Sequence, residues 1–169
     1  MRTLLFLIVV TVPFACTTID IEKQTAIGLR QYEHDSLSQA ISTLSMVIAV
    51  NDTCRQCLLV RGFAYKDMKE YGKALEDFDE LIRFNETVSI GYANRASVFY
   101  LKGDYESALR DFTKAYQIDS SDAYLNPICH MLYINGYKDS ACLYYQKLSN
   151  LGDTTFDESI KTYCNKKNN

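Results

Sequence analysis

From Ile21 onward, apolar side chains recur at helical spacing in stretches of about a dozen residues, separated by short polar joints such as Asp35-Ser36, Gly103-Asp104 and Asn135-Gly136. The pattern predicts helices over 21–34, 37–50, 55–68, 71–84, 90–102, 105–118 and 138–150. A last helix over 156–164 would place Phe156, Ile160 and Tyr163 on one stripe, with Gly152 as a left-handed cap ahead of it. Between these lies Pro127, which either follows Asn126 as the first residue of a helix or bends one. No alternation of period two is present, so the expected fold class is all-α.

The small residues keep a single period. Gly28, Gly62 and Ala96 are spaced by 34 (62 − 28 and 96 − 62), and so are Ala40, Ala74 and Ala108. Larger partners follow in phase as Leu44, Phe78 and Phe112, and one residue early after Asn135-Gly136, where Ala141, Tyr145 and Leu148 stand 33 after Ala108, Phe112 and Ala115. Compact side chains at these points let two helices of a unit cross closely and let the next unit pack behind them. A charge pair shares the period. Arg61 and Arg95 are each followed sixteen residues later by Asp77 and Asp111, whereas Ile27 and Thr43 replace both charges together in the first unit. This predicts structural ion pairs across the second and third helical hairpins.

Residues 89–122, SIGYANRASVFYLKGDYESALRDFTKAYQIDSSD, carry Ala96, Phe99, Gly103-Asp104-Tyr105, Ala108, Phe112 and Ala115 in an order that resembles the tetratricopeptide repeat (TPR), with Tyr92 and Ser120 where the family has Trp and Pro. The resemblance implies a right-handed α-solenoid over 21–165, with repeats at 21–54, 55–88 and 89–122, a degenerate copy at 123–154 and a capping helix at 155–165. It also implies a concave groove, lined by first helices, that binds a segment of a protein partner. By position the groove residues are Thr25, Leu29, Tyr32, Leu59, Phe63, Lys66, Ala93, Ser97 and Tyr100; Leu29, Leu59 and Phe63 have the alternative of packing between repeats. The subtype that clamps a chaperone's terminal carboxylate needs Lys and Asn where this chain has Thr25 and Leu29, and Asn where it has Val60, so that clamp is not carried over.

The amino terminus is of another kind. Arg2 precedes an apolar run over 4–14 that is short for a membrane span and suits a signal peptide over 1–15, ending at Ala15-Cys16. The box resembles that of bacterial lipoproteins, with Cys16 lipidated and 16–20 a tether, although Pro13 and Phe14 depart from its pattern. Plain secretion or an uncleaved start are the alternatives. The resemblances together place the protein in a bacterial cell envelope. A formal charge of −3 and the lack of basic runs argue against nucleic acid.

Of the six cysteines, five remain to be placed once Cys16 is lipidated. Cys142 and Cys164 lie ten and twelve residues either side of Gly152, so antiparallel packing brings them level for a disulfide. The surrounding ACLYYQKLSNLGD and YCN also resemble the ends of bacterial envelope TPR proteins. Cys129, counted at position seven of its unit, is left as a buried thiol facing Cys142 or Tyr144. Cys54 and Cys57 form a lone CxxC, read as a redox couple, half a metal site, a local disulfide or two thiols. No second ligand pair accompanies it, His34 and His130 have no partner at metal spacing, and no phosphate loop or catalytic triad order is present. Neither cofactor nor catalysis is expected; the alternatives to groove binding are a thiol-active envelope protein using Cys54 and Cys57, or a structural subunit of an envelope complex.

Overall fold

A computed structural model describes residues 20–85, 88–152 and 158–167. The proposed signal segment, Cys16, most of the tether and Phe156 lie outside the described residues. Among those described, the helices are α1 (Ile21–Glu33), α2 (Leu37–Val50), α3 (Arg55–Asp67), α4 (Tyr71–Phe84), α5 (Ser89–Leu101), α6 (Tyr105–Asp119), α7 (Leu125–Ile134), α8 (Lys138–Asn150) and α9 (Glu158–Lys167), with no strand. Each helix packs on the next in the chain, and α1 also touches α3, giving a right-handed stack of helical hairpins closed by α9.

One turn is used four times. The second residue after the first helix of each hairpin enters the left-handed region at Asp35 (φ 57°), Lys69 (φ 62°), Gly103 (φ 80°) and Gly136 (φ 85°). The following amide then donates back into the helix: Ser36 to the Gln31 carbonyl, Glu70 to Tyr65, Asp104 to Phe99 and Tyr137 to Leu132, all at 2.8–2.9 Å. These bonds occupy carbonyls that a helix end otherwise leaves unpaired. Asp20 and Asp104 cap α1 and α6, accepting from the Lys23 and Ser107 amides.

The small positions sit where the helices cross. A Cβ on Gly28 would meet Leu44 Cδ2 at 2.6 Å, and one on Gly62 would meet Phe78 Cε1 at 2.7 Å. Ala40, Ala74, Ala96, Ala108 and Ala141 are all fully buried.

Three expectations are corrected. The fourth hairpin opens earlier than Asn126: a short 3-10 turn, Asp122–Tyr124, leads into α7 at Leu125. Pro127 is thereby the third helical residue, inside the first turn, where its missing N–H leaves no intrahelical bond unmade. Secondly, the one-residue shortening precedes α7 rather than following Gly136. Cys129, 1% exposed, stands 33 after Ala96 and takes the crossing position, its thiol donating to the Ala141 carbonyl at 3.3 Å. It is therefore not the counterpart of Arg95. Finally, α9 runs on to Lys167, past the bound of 165 expected for the capping helix, with its own Ile160 and Cys164 buried.

Replacing Gly62 with Leu is expected to destabilise the protein by about 1–3 kcal/mol, because the Phe78 ring blocks the new side chain. Lys69→Gly, which relieves a left-handed non-glycine residue at an exposed turn, is expected to raise stability by about 0.5–1 kcal/mol. Urea unfolding monitored by circular dichroism reads both; equal midpoints for Gly62→Leu and the parent would remove the close crossing as a constraint.

Candidate functional site

The groove positions expected from the resemblance lie on α1, α3 and α5, three per helix. In the first three repeats these are Thr25, Leu29 and Tyr32; Leu59, Phe63 and Lys66; and Ala93, Ser97 and Tyr100. With the corrected phase of α7, Asn126, His130 and Tyr133 are their counterparts, each 33 residues on.

The structure divides this set. Leu29 and Tyr32 pack on the cluster of Leu44, Val47, Cys57 and Val60, while Leu59 and Phe63 pack on Ala74, Phe78 and Val98. The Phe63 ring lies 6.2 Å from Tyr32 and 6.0 Å from Phe78. Thr25 is occupied at 3.5 Å from Cys57 Sγ, and Ala93 is packed near Ala96 and Phe112. In the first two repeats, then, most groove positions also hold the stack together. Burial, and then the acceptor Asp67 Oδ2 at 2.9 Å, push the Tyr32 hydroxyl up to about 12, so it remains a donor at neutral pH.

Lys66, Ser97 and Tyr100 differ, for they line a cleft of about 500 Å³ between α5 and α7. Phe112 and Met131 also line it, Pro127 and Leu101 contribute apolar edges, and Asn126 and His130 close the α7 side. Tyr100, 40% exposed, stands with its ring 6.1 Å from His130 and 5.7 Å from Tyr105. The Lys66 ammonium lies 5.3 Å above the Phe63 ring, and its nearest carboxylate, on Asp67, is 4.0 Å away. Such a cleft can take an apolar side chain beside an acceptor group that Lys66 or Tyr100 engages. Asn126 and His130 were not among the expected groove residues because that set was drawn from the three repeats that share one phase, and the fourth is a residue short.

The paired charges make a more extended lattice than an ion pair. Arg61 donates from Nη2 to Asp77 Oδ1 (2.6 Å) and from Nε to Oδ2 (3.0 Å). Arg95 does the same to Asp111, from Nη2 at 2.9 Å and from Nε at 2.7 Å. Each Arg has a further arm to the preceding repeat, Arg61 Nη1 to Ser45 Oγ (2.9 Å) and Arg95 Nη1 to Asp79 Oδ1 (2.6 Å). Ser45 and Asp79 are themselves 34 apart (79 − 45), a recurrence visible in sequence only once the Arg reach is known. Bonds to Asp111 raise the Arg95 guanidinium further above its usual range against the cost of burial; for Arg61, burial works against the charge, and Asp77, with Tyr65 and Glu76, together more than offset it.

Among the described residues two disulfides are present, Cys142–Cys164 joining α8 to α9 and Cys54–Cys57 at the start of α3. Burial pushes the remaining described thiol, Cys129, up to about 11, so it is a packing residue and a poor nucleophile. Among the described residues no cluster of His, Cys, Asp and Glu is arranged to hold a metal ion, and no helix is long and apolar enough to cross a membrane.

Comparison with known proteins agrees with the hairpin geometry. Residues 91–122 match the tetratricopeptide repeat family. A crystal structure of MamA superposes with a TM-score of 0.74 at 18% identity, covering 78% of this chain and 77% of that one. The fold is a TPR solenoid. A TPR protein from Parabacteroides merdae gives 0.73 at 18% identity over 82% of this chain and 55% of its own. In sequence, the chain is 26% identical over 80% of its length to a TPR repeat-containing protein of Methanocaldococcus jannaschii, and 33% identical over 47% to small glutamine-rich tetratricopeptide repeat-containing protein 2 of Mycosarcoma maydis. It spans only 22% and 23% of those relatives.

The lattice makes Asp111 and Asp79 unequal. Asp111→Ala, which strips the buried acceptor (7% exposed) from a partly buried Arg95, is expected to cost up to about 3–5 kcal/mol. Asp79→Ala, whose carboxylate is 58% exposed, should cost under about 1 kcal/mol. Urea denaturation of both variants checks the ranking, and a larger loss for Asp79→Ala would reverse the assignment.

Proposed function

We propose that this TPR solenoid is a protein-binding module whose concave wall takes an extended segment of a partner, with the cleft between α5 and α7 as the anchoring subsite. The cleft is the observation that carries this reading. It is about 500 Å³ of largely apolar space, open on the face where Lys66, Tyr100 and His130 meet, and large enough for one or two partner side chains. The TPR fold supports a scaffold role. A related case is the first TPR of Spaghetti, whose structure is bound to an HSP90 peptide, SRMEEVD, and which superposes with a TM-score of 0.64 at 14% identity over 68% of this chain and 91% of its own. Thr25, Leu29 and Val60 at the clamp positions, together with the cleft, favour recognition through an apolar anchor with an acidic neighbour over recognition of a terminal carboxylate alone.

The same proposal places the protein in the cell envelope, anchored through lipid on Cys16. Its support is the apolar run over 4–14 ending at Ala15-Cys16. Mass spectrometry of the protein isolated from membranes is expected to find a chain beginning at an acylated Cys16; a first residue other than Cys16 sinks the anchor.

Binding is tested with partners cross-linked to the native protein and then mapped to peptides. A Tyr100→Ala, His130→Ala variant touches the cleft and spares the Phe63 stack, so it should fold normally and lose at least about tenfold in peptide affinity by fluorescence anisotropy. Unchanged affinity would move the binding surface elsewhere.

A further inference from the structure

The joint between the first two repeats holds chemistry that groove binding does not use. Cys54 caps the N-terminus of α3 and is bonded to Cys57 in the first turn of that helix. The two sulfurs have unlike surroundings. Cys54 is partly exposed, whereas Cys57 is 0% exposed among Leu44, Val47 and Val60. Each also has its own polar neighbour: the Cys57 backbone N–H points at Cys54 Sγ from 3.3 Å, and the Thr25 hydroxyl, carried by α1, lies 3.5 Å from Cys57 Sγ. The second disulfide has no such asymmetry. Cys142 (7% exposed) and Cys164 (0%) are both buried with Leu125, Leu148 and Ile160, and neither lies in the first turn of its helix.

We propose that Cys54–Cys57 is a redox-active disulfide that exchanges with external dithiols, Cys54 being the sulfur attacked and Cys57 the one that leaves and later resolves. In reduction, one thiolate of the dithiol attacks Cys54 Sγ, forming a mixed disulfide. The sulfur–sulfur electron pair departs on Cys57, where the Thr25 hydroxyl donates to the new thiolate until solvent protonates it. The second thiolate of the reagent then attacks its own sulfur in the mixed disulfide, and Cys54 leaves as a thiolate held by the amides at the start of α3. Two electrons and two protons pass to the protein, and the reagent becomes a disulfide; the reverse sequence oxidises a partner dithiol. A helix start favours the reduced form by stabilising its thiolate, which makes the pair the more easily reduced of the two. The chemistry needs a helix N-terminus and unequal access to the two sulfurs, not the βαβ surroundings in which such pairs are more familiar.

The test poises the full chain, with Cys16→Ser to remove the amino-terminal thiol, in buffers of reduced and oxidised dithiothreitol, followed by acid quenching, alkylation and peptide mass spectrometry. Cys54–Cys57 is expected to open at a reduced-to-oxidised ratio at least tenfold milder than Cys142–Cys164, a difference of about 30 mV. After mild reduction, iodoacetamide should modify Cys54 at least tenfold faster than Cys57. With Cys57→Ser, oxidised glutathione should accumulate as a mixed disulfide on Cys54. Thr25→Val should slow reduction severalfold while leaving thermal unfolding nearly unchanged. Opening together with Cys142–Cys164, equal alkylation of the two sulfurs, or two free thiols in every buffer would each overturn the proposal.

Discussion

The closeness of the two helices within each hairpin is the constraint on which the rest depends. At Gly28 and Gly62 the facing Leu44 and Phe78 occupy the space a Cβ would need, and Ala96 and Cys129 are buried at the equivalent crossings. Close approach lets one large side chain from the second helix fill the gap, and it holds the hairpin at the angle that turns its outer faces toward the neighbours. Because an isolated hairpin leaves an apolar stripe uncovered, stability comes from stacking. The curved wall of first helices is a by-product of repeating that crossing.

The arginine lattice acts across a second boundary. Arg61 and Arg95 each hold an aspartate in their own hairpin and an oxygen on the hairpin before. A guanidinium suits this because its donors fan out in a plane, so two satisfy a carboxylate in parallel while a third points elsewhere. In the first repeat, Ile27 and Thr43 stand where the charges would be, and no earlier hairpin among the described residues offers an acceptor. The lattice therefore begins where there is something behind it to bind.

The wall is not uniform along its length. In the first two repeats, the inward positions are filled by Leu29, Leu59 and Phe63, which are shared with the inter-repeat core. In the third and fourth, smaller residues at the same places, Ser97 and Asn126, leave room, and Tyr100 and His130 border the space that results. A cleft forms where side-chain volume falls short of the gap set by the backbone. The two disulfides among the described residues divide in a comparable way, one buried between α8 and the capping helix and one at a surface joint.

The sequence alone determined the helices, the hairpin period, the buried small positions and the Arg–Asp partners, because each depends on local spacing: 3.6 residues per turn within a helix and a constant interval between hairpins. It also brought Cys142 and Cys164 level, since a helical hairpin relates residues equally distant from its turn. The phase of α7 could not be read in this way. A single missing residue can be assigned to either side of a helix without disturbing its amphipathic stripe, and only packing of Cys129 against Ala141 decides which, and with it the presence of His130 in the cleft. Tertiary structure likewise decided that Arg61 and Arg95 reach back a repeat, that Phe63 is packed while Tyr100 is open, and that Thr25 stands over Cys57. Each depends on the separation and tilt of two helices distant in the chain, and those follow from the summed volumes of all the side chains between them.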